Sequence, residues 1–138
     1  MKQVYLAASW SRQSEARKLA EELEDADVHV KASWLYEREC PHPALREKHA
    51  REAGYQDIRD IYECDVFVRL ADDLSRPLTV PSHLATGARM FEQGLAYGLG
   101  KQIYVVGGRQ MLFDYMPHVC HVRDKAHLIQ ELCPQTLW

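Results

Sequence analysis

The sequence lacks the features of several protein classes. No apolar run in its 138 residues approaches the roughly 20 residues that a helix needs to cross a bilayer. The apolar stretch at the amino terminus is too short for a secretory signal peptide. A net charge of −3 gives the chain no general attraction to nucleic acid or to anionic membranes. We therefore expect a cytoplasmic protein that binds neither a nucleic acid polymer nor a membrane.

Cysteine and histidine are scattered rather than clustered. The four cysteines form no CxxC pair, and the seven histidines form no HExxH or HxH motif. Metal and redox sites usually need such close spacing, and disulfide frameworks are typical of small secreted chains. We expect four reduced, structural cysteines and no bound metal ion.

Apolar strands and amphipathic helices alternate along the chain. Strands are predicted over 3–9, 28–33, 65–71 and 101–108, and helices over 14–26, 42–64 (one or two helices), 88–100 and 125–132. Ser14 is a candidate N-cap of the first helix, and the proline-containing segment 72–87 is predicted to be a loop. The alternation predicts one α/β domain over residues 1–138. Its sheet should be mostly parallel, with about five strands and helices on both faces, as in flavodoxin-like or Rossmann-like folds.

The loop after the first strand is a candidate anion site. Ligands of such sheets bind beyond the carboxyl ends of the strands, where loops lead to helix N-termini. This loop has no GxGxxG motif, so no dinucleotide cofactor is expected, but it carries Ser9, Ser11 and Arg12. With free backbone N–H groups these side chains could hold a phosphate or another anion. Ordinary helix capping beside a solvated arginine explains the same residues equally well.

Three carboxylates lie at the same predicted edge of the sheet. Asp72 and Asp73 directly follow the third predicted strand, where they could bind ribose hydroxyls or cap the loop. Glu92 interrupts the small, apolar helical run "ARMFEQGLAYGLG". From the residues alone, Glu92 is either a carboxylate that complements the helix dipole or a catalyst.

Three stretches of the chain are "VYLAAS", "DIRDIYECDVFV" and "TGARMFEQGLAYGLGKQIYVVG". Together they resemble the nucleoside 2-deoxyribosyltransferase-like family, in the order that the family has and over nearly the whole chain. The family also includes N-glycosidases that cleave nucleoside 5′-monophosphates. Its pattern has a first strand ending in a small-residue loop, an Asp eight residues before the start of the third strand, and ExGxA followed by GK. Here Asp57 lies eight residues before Asp65, and Glu92 opens "EQGLA" ahead of Gly100 and Lys101.

The resemblance implies roles for the carboxylates, with no metal or organic cofactor. Glu92 would attack the anomeric carbon, displace the base and form a glycosyl ester, which water or a second base then resolves. Asp57 would orient the substrate or handle the leaving-group proton, whereas Asp60, one turn later, is expected to be a solvated helix carboxylate. Further substrate contacts are expected from Tyr5 on the first strand and from the turn at Thr86 and Gly87.

Several departures from the family pattern leave the substrate open. The loop "AASWSR" differs from the "AGP" type common in transferases and looks more like the phosphate-binding loop of the monophosphate hydrolases. The loop 72–87 is longer than in small hydrolases. Trp34 and Tyr36 are candidates to stack on a base or, equally, to be packing residues. Nucleoside and nucleoside 5′-monophosphate substrates, and hydrolysis and sugar transfer, all stay open.

The segment 107–122 bears on assembly. It carries Arg109, Tyr115 and His118 in a predicted loop, which the family often uses at or near a dimer interface. We expect a homodimer or higher homo-oligomer in which Tyr115 or His118 contacts the neighbour's site. The alternative is a surface loop whose Met111, Phe113 and Met116 pack inward.

A second class of function is a non-catalytic nucleotide-binding sensor or partner module on the same scaffold, since a fold alone does not fix an activity. The presence of both Glu92 and Asp57 favours the enzyme, because a sensor needs no such pair.

Overall fold

The computed structural model describes residues 2–72 and 87–133. Its strands are β1 (Gln3–Ala7), β2 (His29–Val30), β3 (Val66–Leu70), β4 (Gln102–Val106) and β5 (Val119–Val122), and its helices are α1 (Gln13–Asp25), α2 (Arg46–Glu63), α3 (Ala88–Gly98) and α4 (Lys125–Leu132). Short 3-10 helices span Trp10–Arg12, Ser33–Tyr36, Pro43–Leu45 and Leu112–Tyr115. Most of the predicted loop 72–87, with Asp73 and Thr86, lies outside the described residues.

The five strands form one parallel sheet in the order β2-β1-β3-β4-β5. In the register, Val4 lies opposite Val30 on one side and Val66 on the other, and Phe67 lies opposite Ile103. All five residues of β3 are buried, as is usual for a strand covered on both faces. The α/β fold with a parallel sheet of about five strands, predicted from the sequence, is confirmed.

Helices cover both faces of the sheet, because right-handed crossovers place α1 opposite α2 and α3. Helices α2 and α3 contact each other. They lie over the face that carries Tyr5 and Phe67, whose rings stack with centroids 5.7 Å apart. On the opposite face, an ion pair of 3.0 Å between Lys125 and Glu15 joins the start of α4 to α1. The site therefore forms on the α2–α3 side of the strand ends.

The structure corrects three local predictions. Helix α1 begins at Gln13, so Ser14 is its second residue and not the N-cap, a position that Arg12 holds. The second predicted strand is reduced to β2, because the chain turns into a 3-10 helix at Ser33. Strand β5 lies in the segment that we predicted as a loop. With two buried valines around an exposed cysteine and a half-buried histidine, β5 is too short to show an alternating pattern.

A buried ion pair ties the segment after β4 to the sheet. Arg69 of β3 and Asp114 are 1% and 0% exposed, and their guanidinium and carboxylate lie 2.6 Å apart. Asp114 also accepts hydrogen bonds from the side chain of Gln93 at 3.0 Å and from the backbone N–H of Gln110 at 2.8 Å. Arg69, Gln93 and Asp114 thereby connect β3, α3 and the segment after β4 through one polar cluster.

The four cysteines are free; Cys64 is buried, Cys40 and Cys133 are half-buried, and Cys120 is exposed. Within residues 2–72 and 87–133, no helix combines the length and apolar character needed to cross a membrane. The same ranges hold no cluster of three His, Cys, Asp or Glu side chains suited to a metal ion.

Candidate active site

A cavity of about 530 Å³ opens at the carboxyl end of β1, between the α2–α3 layer and the segment that follows β2. Of the side chains predicted to act on or bind a substrate, it gathers Tyr5, Ser9, Trp34, Asp57 and Glu92. These residues come from β1, the loop after it, the segment after β2, and helices α2 and α3. The cavity is therefore the candidate active site.

Tyr5 holds the carboxylate of Glu92. The tyrosine is fully buried, its ring is fixed against Phe67, and its hydroxyl donates a hydrogen bond to Oε2 of Glu92. Burial raises the pKa of Tyr5 well above 10, and the charges of Glu92 and Asp57 add to this effect. The phenol therefore stays protonated and remains a donor at neutral pH. Because Glu92 is the fifth residue of α3, its carboxylate lies beyond the first turn, so complementing the helix dipole does not explain it.

The two carboxyl groups of the cavity both have raised pKa values. Burial raises the pKa of Glu92 to about 7, although the hydrogen bond from Tyr5 and the charge of Arg89 lower it. Burial, followed by the nearby charges of Glu92, Glu37 and Asp60, raises the pKa of Asp57 to about 8. Within the described ranges, Oδ1 of Asp57 is buried without a hydrogen-bond partner. Such a pair favours one ionised and one protonated carboxyl group near neutral pH.

Asp60 is not the solvated carboxylate that we predicted. It is fully buried and accepts hydrogen bonds from the backbone N–H of Ser33 at 2.8 Å and from the side chain of Gln56 at 2.9 Å. Asp60 therefore anchors the segment after β2 onto α2, on the turn next to Asp57.

The two aromatic candidates after β2 differ in position. Trp34 is 7% exposed, its indole N–H donates to the carbonyl of Leu6 at 2.6 Å, and it still lines the cavity. Its ring lies 6.3 Å from that of Trp10 at an angle of 42°. Tyr36 is 68% exposed and lies outside this cavity. Trp10 and Trp34 thus supply the aromatic surface of the site, and Tyr36 does not.

The structure separates the members of the predicted anion loop. Ser9 lines the Glu92 cavity, and its hydroxyl lies 3.1 Å from that of Ser11. Arg12 turns away, pairing with Glu15 at 2.8 Å and donating to the carbonyl of Ala71 at 2.6 Å. It lines a neighbouring cavity of about 780 Å³. The structure therefore brings Ser9, but not Arg12, into the same cavity as Glu92.

Arg89 is a charged residue of the cavity that sequence reasoning missed. It lies one turn before Glu92 on α3, lines the same cavity, and donates to the carboxylate of Asp72 at 2.5 Å. Gln110 holds the backbone of Asp72 through bonds of 3.0 and 2.9 Å. Asp72 therefore positions Arg89, a role that we did not predict. The i, i+3 spacing from Arg89 to Glu92 is the sequence signal that could have identified it.

The remaining predicted residues lie apart from the cavity. Gly87 stands at the N-cap of α3 with φ +90°, and it lines a smaller groove between α2 and α3 that also includes Glu92. Tyr115 and His118 are exposed, with Arg109 stacked over Tyr115 at 5.1 Å, and they do not line the Glu92 cavity of their own chain. Thr86 lies outside the described residues.

Comparison with known proteins finds likeness in structure only. No protein-family model and no curated protein matches the sequence. The CMP N-glycosidase BcmB of Clostridium botulinum superposes with a TM-score of 0.58 at 18% identity, covering 95% of this chain and 98% of that one. A 2-deoxyribosyltransferase from Bacillus psychrosaccharolyticus gives 0.61 at 19% identity, with 92% and 90% covered.

A conserved protein from Enterococcus faecalis gives a TM-score of 0.55 at 14% identity, covering 96% of this chain and 97% of that one. The three alignments span nearly the full length of both partners, so the likeness concerns the whole architecture rather than a shared βαβ unit. As its sequence predicted, the chain has a nucleoside 2-deoxyribosyltransferase-like fold.

Proposed function

We propose that the chain is an enzyme that cleaves the N-glycosidic bond of a nucleoside, deoxynucleoside or nucleoside 5′-monophosphate. The observation that carries this proposal is the presence of Glu92 and Asp57 in one cavity, both with raised pKa values, with Tyr5 bound to Glu92. Glu92 is the nucleophile, and Asp57 is the acid that serves the leaving base. The pair matches the needs of a reaction with an oxocarbenium-like transition state.

In the first step, an oxygen of ionised Glu92 forms a bond to the anomeric carbon while the bond from that carbon to the base breaks. The bonding electrons leave with the base, and the proton of Asp57 goes to a nitrogen or oxygen of the base. The products are a glycosyl ester on Glu92, a neutral base and an ionised Asp57. Tyr5 keeps the attacking carboxylate in place through its hydrogen bond.

In the second step, an acceptor resolves the ester. With water, the new bond runs from the water oxygen to the anomeric carbon, a water proton returns to Asp57, and Glu92 leaves as a carboxylate. With a second base, a ring nitrogen forms the new bond to the anomeric carbon, its N–H proton goes to Asp57, Glu92 leaves as a carboxylate, and the sugar is transferred. Both outcomes use the same groups of this chain.

The solved structures support the general reaction, since one is named a CMP N-glycosidase and another a 2-deoxyribosyltransferase. The two names together cover both hydrolysis and transfer, and both nucleotide and deoxyribosyl substrates. The constellation of Tyr5, Asp57 and Glu92 supports the step that the two reactions share.

The test incubates the protein with a panel of nucleosides, deoxynucleosides and their 5′-monophosphates and measures the free base by chromatography. We expect release from at least one member, and none with Glu92→Gln. A second base added to the reaction separates transfer from hydrolysis. Binding of these compounds without any turnover would overturn the proposed enzymatic function and favour a nucleotide-binding sensor.

A further inference from the structure

Glu37 lies on the wall of the cavity that follows β2. The backbone of this wall is held in place by hydrogen bonds. The side-chain amide of Gln13 donates to the carbonyls of Trp34 at 2.7 Å and of Glu37 at 3.0 Å. The backbone N–H of Glu37 donates to the carbonyl of Trp34 at 3.2 Å, and Asp60 holds Ser33. The main chain that carries Trp34 and Glu37 is therefore fixed beside the cavity.

Glu37 lines this cavity and also a neighbouring one of about 500 Å³. The side chain is half-buried, and no residue in the ranges 2–72 and 87–133 hydrogen-bonds to it. Burial raises the pKa of Glu37, while the nearby His49 lowers it. The charge of Glu37 in turn raises the pKa of Asp57. A half-buried acceptor that no donor satisfies is suited to a polar group of a ligand.

The chemistry of the proposed reaction places the base on this side of the cavity. A nucleophile attacks the anomeric carbon from the face opposite the leaving group. With Glu92 on α3, the departing base lies toward the wall formed by Trp10, Trp34 and Glu37. The two indoles offer an apolar, aromatic surface for the ring of the base, and Glu37 then meets its polar edge.

We propose that Glu37 reads the exocyclic amino group of the base, so that the site prefers bases that carry this group over those with a carbonyl in its place. An amino group donates to a carboxylate, whereas a carbonyl oxygen placed there meets a second acceptor. Cytosine and adenine are therefore accepted, and uracil and hypoxanthine are disfavoured. This inference rests on the proposed function, because it uses the same cavity and the same orientation of the sugar.

The experiment measures binding rather than turnover. Dissociation constants are determined by calorimetry for cytidine against uridine and for adenosine against inosine, using Glu92→Gln protein so that no reaction occurs. We expect the amino-bearing member of each pair to bind about 10- to 100-fold more tightly, the range typical of a specific polar contact to a base. In the Glu37→Gln/Glu92→Gln protein the two members should bind equally, because an amide both donates and accepts.

The matched control is Glu22→Gln in the same Glu92→Gln background, which removes an equal charge from an exposed position of α1. This control protein should keep the full preference for the amino-bearing member of each pair. Equal binding of both members before Glu37 is changed, or an unchanged preference after Glu37→Gln, overturns the base-reading role and leaves cleavage standing. If no nucleoside binds, the same pairs are measured as 5′-monophosphates, and if none of these binds either, both this inference and the proposed function fail.

Discussion

The hydroxyl of Tyr5 donates a hydrogen bond to Oε2 of Glu92, joining side chains that lie 87 positions apart in the sequence. Tyr5 comes from the middle of β1, whereas Glu92 comes from the second turn of α3. The bond fixes the carboxylate beside the sheet rather than toward solvent. The fold thus supplies both the buried environment that raises the pKa of Glu92 and the donor that moderates this rise.

Substitution of Glu92 should remove base release. An amide or a methyl group cannot form the glycosyl ester, so we expect kcat to fall by at least about 1,000-fold in Glu92→Gln and Glu92→Ala. The fold should persist, since neither change leaves a buried charge unpaired. Base release by chromatography and thermal unfolding by circular dichroism measure the two properties. Near-normal turnover of Glu92→Ala would show that another residue is the nucleophile.

The pH profile of base release should be a narrow bell. Glu92 must be ionised to attack, so the rate should rise with pH through its pKa of about 7. Asp57 must be protonated to serve the leaving base, so the rate should fall as pH rises through its pKa of about 8. Because the two carboxyl groups interact, the apparent pKa values of the two limbs describe the pair and not either residue alone. Values of kcat/KM from pH 5 to 10 measure them.

The Asp57→Asn variant tests the assignment of the alkaline limb. It should be slower than the native protein and should lose only the alkaline limb. It should also be more stable than the native protein above pH 8. An acid whose pKa is raised on folding contributes stability below its unfolded value of 3.8, and this contribution is lost as pH rises through the folded value of about 8. An alkaline limb that persists in Asp57→Asn would assign it to another group.

Asp114 should be essential to stability. In Asp114→Asn, the guanidinium of buried Arg69 loses its counter-charge, which typically costs about 3–5 kcal/mol of the free energy of unfolding. Burial alone would raise the pKa of Asp114, but hydrogen bonds from Gln110, Gln93 and Arg69 bring it below 3.8. The stabilisation is therefore present above pH 4 and is lost as pH falls through the folded value.

Urea unfolding of native and Asp114→Asn protein at pH 7 and at a pH well below 3.8 measures this effect, because the difference between the two proteins should shrink at the lower pH. The double variant Arg69→Met/Asp114→Leu serves as the control, because it removes both charges and should recover part of the loss. A loss below 1 kcal/mol in Asp114→Asn at pH 7, well under the range of about 3–5 kcal/mol, would contradict the role of the buried pair.

The sequence predicted those features that depend on neighbouring residues, and it did not predict those that depend on residues far apart in the chain. Strand β3 and helix α3 were predicted because their apolar residues show a local pattern. The burial of Asp60 was not, because its partner Ser33 lies 27 residues away. Arg69 and Asp114 are 45 residues apart, and a charged residue inside a buried strand gives no hint of its partner. Local periodicity is visible in the sequence, whereas pairing between distant polar residues is not.

The residues of the cavity likewise include some that the sequence predicted and some that it did not. Glu92, Asp57 and Tyr5 were predicted through the resemblance to a family, which places them in order along the chain. Glu37 and Arg89 were missed. Glu37 lies in an irregular segment with no periodic pattern, and Arg89 is directed to the cavity by Asp72, which reaches it from the end of β3.

The role of Arg12 in holding a 5′-phosphate stays a prediction. A phosphate bound at Ser9 and Ser11 would replace Glu15 as the partner of the Arg12 guanidinium. We then expect monophosphates to be better substrates than nucleosides, and Arg12→Ala to erase the difference. The loss should be about 1.5–3 kcal/mol in transition-state stabilisation, as for a charged hydrogen bond. Comparison of kcat/KM for a nucleoside and its 5′-monophosphate measures it.

Arg89→Ala is the comparison variant for this test, since Arg89 lines the Glu92 cavity itself. A selective loss on monophosphates in Arg89→Ala, but not in Arg12→Ala, would move the phosphate site to the α3 side. Equal rates on nucleoside and monophosphate in the native protein would remove the phosphate site altogether.

Assembly into a homodimer is predicted from the segment after β4. Its Leu112, Phe113 and Tyr115 are 76%, 61% and 69% exposed, and Met116 is 37% exposed, so the alternative of inward packing is wrong for Phe113, whereas Met111 is half-buried. A small monomer rarely exposes so much apolar surface in one place. Burial against a second copy would cover the side chains and bring Tyr115 or His118 to the partner's cavity. We expect Phe113→Asp to weaken the dimer and reduce activity together.

Sedimentation and activity measured over the same dilution series test this prediction. If a site is completed across subunits, activity should fall as the protein is diluted below the dissociation constant of the dimer. Lys18→Gln, at an exposed position of α1, lowers the net charge by one unit as Phe113→Asp does, and it should leave assembly unchanged. A fully active monomer of 16.0 kDa would exclude the dimer, and the apolar segment would then need a different partner.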